Sequence, residues 1–142
     1  LRDLARGIHP AVLTDRGLAA ALDALVQRTP VPVELRVALP DRLDPAIEAA
    51  AYFLVSEALT NITKHARADM VSIELESTGG GLTVTIADDG IGGADPTGGS
   101  GLRGLADRVQ ALGGRLEVTS PPGEGTRMCA QLPLSVLGSF GG

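Results

Sequence analysis

Glycine and proline are spread so unevenly along this chain that they divide it into segments before any other property is considered. Of nineteen glycines and nine prolines, fourteen glycines and three prolines crowd into 79–81, 90–104, 113–114 and 121–125. Both residue types disfavour the interiors of helices and strands, so the stretches between the clusters are where regular structure belongs. Within 14–28, Leu18, Ala21, Leu22, Leu25 and Val26 recur at three- and four-residue steps. This spacing predicts an amphipathic helix with Thr14 or Asp15 as N-cap, ended by Pro30 and Pro32. Val33, Leu35, Val37 and Leu39 alternate with Glu34, Arg36 and Ala38, the period of a half-buried strand. A second helix is expected from Asp44, with Pro45 in its first turn and Ile47, Ala51, Leu54, Val55, Ala58 and Ile62 facing a core.

Two alternating segments follow, 71–76 and 82–87, joined by Thr78-Gly79-Gly80-Gly81, which reads as an antiparallel hairpin. Leu102, Leu105, Ala106, Val109 and Leu112 mark a third helix, with Gly113-Gly114 as its left-handed C-cap. Strands over 115–120 and 126–132 flank a Pro-Pro-Gly-Glu-Gly turn. The order helix, strand, helix, strand, strand, helix, strand, strand predicts an α/β (α+β) two-layer sandwich. About three helices would cover one face of a mostly antiparallel mixed sheet of about five strands.

A length of 142 residues with 44% hydrophobic content suits one domain with one core. The formal charge of −5 argues against binding nucleic acid through its phosphates, so an anionic ligand would have to be held locally. Cys129 is the lone cysteine, which favours a reducing, cytoplasmic setting. No apolar run is long enough to span a bilayer, so no membrane contact is expected of this chain. The sequence opens at Leu1 and runs at once into helical pattern, which predicts a piece of a longer protein.

The chemistry concentrates in a few places. On a helix, Glu57, Asn61, Lys64 and His65 fall within an arc of roughly 100°. They offer an acceptor, an amide oxygen suited to a hard cation, and two donors suited to phosphate oxygens. Taken together they describe a magnesium-nucleotide site; any one alone reads more readily as a solvated helix face. Asp88-Asp89-Gly90-Ile91-Gly92-Gly93 follows an apolar strand directly. A carboxylate there suits an exocyclic amine such as that of adenine, although Asp-Gly by itself is equally a plain turn. Gly99-Ser100-Gly101-Leu102-Arg103-Gly104 matches the dinucleotide-binding string, but a loop precedes it where that fold needs a strand. What survives is a glycine-led helix start whose N–H groups, with Arg103, suit phosphate oxygens, or else a loop that only needs to bend. Walker, zincin, paired-cysteine and nucleophile-elbow patterns are missing from the sequence, which demotes metal hydrolysis and acyl transfer. His9 precedes Pro10 and has no acidic neighbour, so it reads as structural or linker.

In order, Glu57-x-x-x-Asn61-x-x-Lys64-His65, Asp88-x-Gly90-x-Gly92, Gly99-x-Gly101-Leu102-x-Gly104-Leu105-x-x-Arg108 and Gly123-x-Gly125-Thr126 resemble the catalytic ATP-binding domain of sensor histidine kinases. This is the Bergerat fold shared with gyrase, mismatch-repair and chaperone ATPases. The wording around Asn61 is similar to the subfamily that signals to NarL-type, helix-turn-helix response regulators. Residues 1–28 resemble the linker and first helix that follow a dimerisation and phosphotransfer domain. The ATP-binding unit would then occupy 29–136 and a flexible tail 137–142.

The resemblance implies ATP and Mg²⁺ as ligands. Asn61 would ligate the metal, Lys64 and His65 would meet phosphates, and Asp88 would bind the adenine amine with support from Thr126. Gly90 and Gly92 would admit the nucleotide close to the backbone. Gly99, Gly101 and Leu102 would border a lid over the phosphates, and Glu57 would help prepare the attacking imidazole. The Glu-Leu-His-Asp phosphoacceptor sequence of such kinases does not occur, and His9 does not match it. The chain is therefore expected to be inactive alone. It would present the γ-phosphate to a histidine on a separate helical domain of the same protein and reach a response regulator only indirectly. Two alternatives stand beside this: an anti-sigma-type serine kinase of the same fold, and a degenerate protein-binding scaffold.

Overall fold

The structure, a computed structural model, describes residues 11–39, 43–63, 68–78, 81–90 and 102–133. In chain order its elements are α1 (Ala11–Arg16), α2 (Leu18–Gln27), β1 (Val33–Ala38), α3 (Pro45–Asn61), β2 (Val71–Thr78), β3 (Gly81–Asp88), α4 (Leu102–Ala111), β4 (Arg115–Thr119) and β5 (Thr126–Pro133). The five strands form one sheet in the order β1-β2-β3-β5-β4. β1 runs parallel to β2, which α3 makes possible by crossing over between them, and the other neighbours are antiparallel. This is the expected two-layer arrangement.

Strand alternation sorts the sheet into two faces. Val71, Ile73 and Leu75 of β2, Leu82, Val84 and Ile86 of β3, and Met128, Ala130 and Leu132 of β5 are buried under the helices. Ser72, Glu74 and Glu76 point the other way and are exposed. Leu18, Ala21 and Leu22 of α2 and Leu105 and Val109 of α4 complete the same cluster from above. Between them α3 packs on α2, α4 and β3. A helix covered on several sides needs apolar residues around more than one stripe. Accordingly Ile47, Ala50, Ala51, Leu54, Val55, Ala58 and Leu59 are all buried.

Local chemistry explains where α3 starts. Asp44 caps it, its Oδ1 accepting from the Ala46 N–H at 2.9 Å, and Pro45 occupies the first turn. Glu48, 3% exposed, accepts from the Leu43 N–H at 3.1 Å in the same turn, where the helix dipole favours a carboxylate. At the same end of the sheet α4 stops at Gly113, whose φ of +88° is the left-handed cap anticipated from the sequence. Gly79 and Gly80, assigned to the β2–β3 turn, lie outside the described residues.

One element departs from expectation. The helix expected over 14–28 is two helices broken at Gly17, with φ +92° and ψ 178°. Thr14 and Asp15 fall inside α1 rather than at a helix start, while α2 starts at Leu18 without a side-chain cap. The periodicity concealed the break because Leu13, Leu18 and Leu22 are buried in one cluster on both sides of it.

Two glycines of α4 and its exit should respond oppositely to alanine. A Cβ at Gly114 would overlap the Gln131 carbonyl oxygen and lie 3.0 Å from Val109 Cγ1, whereas a Cβ at Gly104 meets nothing within 4 Å. Gly114→Ala should destabilise by about 1–3 kcal/mol. Gly104→Ala should stabilise by about 0.5–1 kcal/mol. Urea unfolding of the two variants measures both shifts.

Candidate functional site

Register brings the charged end of β3 between two strand starts. Asp88, the last residue of β3, lies opposite Val71, the first of β2, and opposite Thr126, the first of β5. The chain enters β2 from α3 and leaves β3 toward α4, so the C-terminus of α3 and the N-terminus of α4 belong to this same end of the sheet.

Asp88 is held tightly but incompletely. Its Oδ1 accepts from the Gly90 N–H at 2.8 Å, and the nearby Thr126 backbone N–H also favours the charged form of the carboxyl. Its Oδ2 is buried and has no hydrogen-bond partner. Burial holds the Asp88 carboxyl above its ordinary range, against the pull of the two backbone donors, and the charge of Asp89 adds a smaller push upward. Thr126 therefore addresses Asp88 through its backbone, while its hydroxyl lies 2.6 Å from that of Ser120. The sequence box containing Gly125 carried a requirement that pattern reading missed. Gly125 has φ +78°, and a Cβ there would overlap the Asp88 carbonyl oxygen. Only a residue without a side chain lets β5 begin against the end of β3.

The second half of the site comes from α3. Asn61 is its last residue, half-buried, and its Nδ2 is a buried donor without a partner. Glu57, also half-buried, stands one turn earlier on the same side. Beyond Asn61 the final turn widens at Ile62 and Thr63 into a π-type turn, a distortion common at functional sites. Phe53, one turn before Glu57, carries the Arg108 guanidinium 4.1 Å from its ring centroid. That cation–π contact fastens α4 to the side of α3 bearing Glu57 and Asn61.

A further acid directs its carboxylate at the backbone. Asp89 Oδ1 accepts from the Asp69 N–H at 2.8 Å and the Met70 N–H at 3.0 Å. These donors hold its carboxyl below the ordinary range, Met70 contributing most. The sequence offered only one hint, a second carboxylate directly after Asp88. Of the remaining sequence candidates, Lys64, His65, Gly92, Gly99 and Gly101 lie outside the described residues. Leu102 and Arg103 open α4, but their side chains lie outside that description too.

Among the described residues no three His, Cys, Asp or Glu side chains cluster as metal ligands. Asn61 still suits a hard cation, because its amide can turn its oxygen to the position of the orphaned nitrogen. A cation that completes its shell with water and ligand oxygens needs no protein cage. A separate groove of about 290 Å³ lies between α2 and α3, lined by Leu25, Arg28, Thr29, Ser56, Leu59 and Thr60 among others. The Thr29 hydroxyl donates to the Leu25 carbonyl and the Thr60 hydroxyl to the Ser56 carbonyl, so the groove offers no orphaned side chain comparable to Asp88.

Residues 46–136, which contain Asn61, Asp88 and Thr126, match the histidine kinase-, DNA gyrase B- and HSP90-like ATPase family. The chain belongs to that family. Its curated relatives narrow the type. It is similar to the sensor histidine kinase MctS of Rhizobium johnstonii, with 32% identity covering 95% of this chain and 32% of the relative. It is similar also to the sensor histidine kinase NarS of Mycobacterium tuberculosis, with 34% identity over 94% of this chain and 33% of the relative. The chain thus spans about a third of these relatives' length. Among solved structures, the histidine kinase domain of the blue-light activated kinase from Erythrobacter litoralis EL346 has TM-score 0.67 and 28% identity, covering 83% of this chain and 59% of that one. The ATP-binding domain of PrrB from Mycobacterium tuberculosis has TM-score 0.63 and 28% identity, covering 85% and 93%. The chain is an ATP-binding catalytic domain of the sensor histidine kinase type.

Membership gives the orphaned Asp88 oxygen a ligand-facing meaning, and its energetics can be tested without ligand. Because the folded-state pKa is raised, the carboxyl favours folding only when protonated. That contribution is present below the ordinary value of 3.8 and is lost as pH rises through the raised folded value. Asp88→Asn should therefore raise Tm at pH 7, with the gap closing toward pH 3. Calorimetric melts at the two pH values check it.

Proposed function

We propose that this domain binds Mg-ATP between the end of α3 and the end of β3, and presents the γ-phosphate to a histidine on a separate helical domain of the same protein. The observation that carries the reading is the pair of buried, unpartnered polar groups, Asn61 Nδ2 and Asp88 Oδ2, on two elements that reach the same end of the sheet. A buried polar group without a partner is costly, and a ligand that completes it offsets that cost.

In this reading the Asp88 oxygen accepts from the adenine amine, while the Gly90 and Thr126 N–H groups keep the carboxylate ionised and aimed. Gly90 and Gly92 let the nucleotide lie close to the backbone. Asn61 supplies an oxygen to the magnesium, whose charge when bound offsets that of the polyphosphate. Lys64, His65 and Arg103 hold phosphate oxygens, and the helix start at Leu102, with Gly99 and Gly101, borders a covering lid. Glu57 accepts a proton from, or orients, the incoming imidazole. Phosphoryl transfer then depends on alignment and charge stabilisation more than on covalent help from this chain.

The names of MctS and NarS support a histidine acceptor over the serine of an anti-sigma-type kinase. The reading extends to a cytoplasmic setting, a NarL-type response regulator reached through the acceptor domain, and a unit over 29–136 preceded by linker at 1–28. Among the described residues no helix is long and apolar enough to cross a membrane.

Calorimetric titration with a non-hydrolysable ATP analogue should show magnesium-dependent binding that Asp88→Ala and Asn61→Asp each weaken by about tenfold or more. Unchanged affinity in both variants would overturn the reading. Binding should also weaken as pH falls through the raised pKa of Asp88. With labelled ATP and a phosphoacceptor domain from the parent kinase, label should appear on imidazole; a nucleotide-binding chain that never labels it would be a scaffold.

A further inference from the structure

We infer that Asp89 is a positioning residue of the nucleotide site, its carboxylate tying the chain that returns from α3 to the end of β3 and so setting how the Asn61 side faces the Asp88 side. This rests on the nucleotide-binding reading above. Asp89 accepts from two consecutive N–H groups, those of Asp69 and Met70, and its own N–H donates to the Met70 carbonyl at 3.4 Å. Two side-chain bonds and one backbone bond therefore clasp the residues just before β2 to the residue just after β3.

An aspartate suits this position for a definite reason. One carboxylate oxygen has lone pairs for both N–H donors, and its charge strengthens both bonds. Electrostatics alone would disfavour it, since a second negative charge beside Asp88 also stands near a site read as binding a polyanion. The two backbone donors supply the compensation.

The clasp bears on both halves of the site. Asn61 ends α3, the next turn widens, and the chain is caught again at Asp69, so the clasp fixes a point eight residues after the Asn61 amide. On the other side Asp89 follows Asp88 directly, whose Oδ2 is the orphaned acceptor. An ordinary strand-end tie would stabilise the fold and leave affinity unchanged. A positioning residue must move affinity through geometry.

Three variants separate geometry from charge. Asp89→Asn keeps an oxygen acceptor without the charge, Asp89→Leu keeps bulk without an acceptor, and Asp89→Ala keeps neither. Each is titrated with magnesium and the ATP analogue, and amide hydrogen exchange is followed at Asp69 and Met70. Asp89→Asn should stay within about threefold of the wild-type affinity with both amides protected, whereas Asp89→Ala and Asp89→Leu should lose about tenfold and expose both amides. If the alanine variant does not fold, the leucine variant carries the comparison. Acceptor-less variants that bind as tightly as wild type would overturn this inference alone, as would an asparagine variant as weak as the alanine one. A wild-type chain that binds no analogue would overturn the nucleotide reading together with it.

Discussion

A carboxylate shielded from water and satisfied on only one of its oxygens is costly, and much of this fold serves to hold one there. Asp88 sits at the last position of a central strand, flanked by the first residues of both neighbours. Gly90 and Thr126 fix one side of the carboxyl, and Gly125 makes room for the approach of β5. Each of these residues is explained by the need to keep Asp88 rigid, ionisable and open on one side. Pre-organisation of this kind shifts cost from the moment of binding to the folded state.

The helical layer solves a different problem. α3 must be apolar enough to sit between α2 and α4 above the sheet and still deliver Glu57 and Asn61 at its final turns. Its N-terminus is locked by Asp44 and Glu48, so the position of its C-terminus follows from length and packing. The Arg108–Phe53 contact then relates the helix after the glycine-rich segment to the same side of α3. The family match and the similarity to solved kinase domains place this geometry among ATP-binding domains.

Much of this was legible in the amino-acid order because it depends on neighbours close in sequence. Asp44-Pro45, the alternation around the triple glycine, and Gly113 at the end of α4 are local signals, and the structure follows all three. The break at Gly17 escaped because burial of Leu13, Leu18 and Leu22 preserves an apolar rhythm across it. Asp88 and Asn61 were legible as chemistry, through residue type and spacing. Asp89 and Gly125 were not, since their roles arise from partners far away in sequence, at Met70 and at the Asp88 carbonyl. Pairing across such distances is decided by tertiary packing, to which a period or a cap gives no access.

The helices cover one side of the sheet and leave the other to water, and this has a consequence for how such a domain can change. Glu74, Glu76 and Gln131 project from the uncovered side, away from both the core and the Asp88 end of the sheet. Replacements there alter neither packing nor the pocket, so nearly half of every strand is a region where mutations accumulate at small energetic cost. A domain built this way can diverge widely in surface character, acquiring new charges and new neighbours, while the few groups at one rim of the sheet stay where the chemistry needs them.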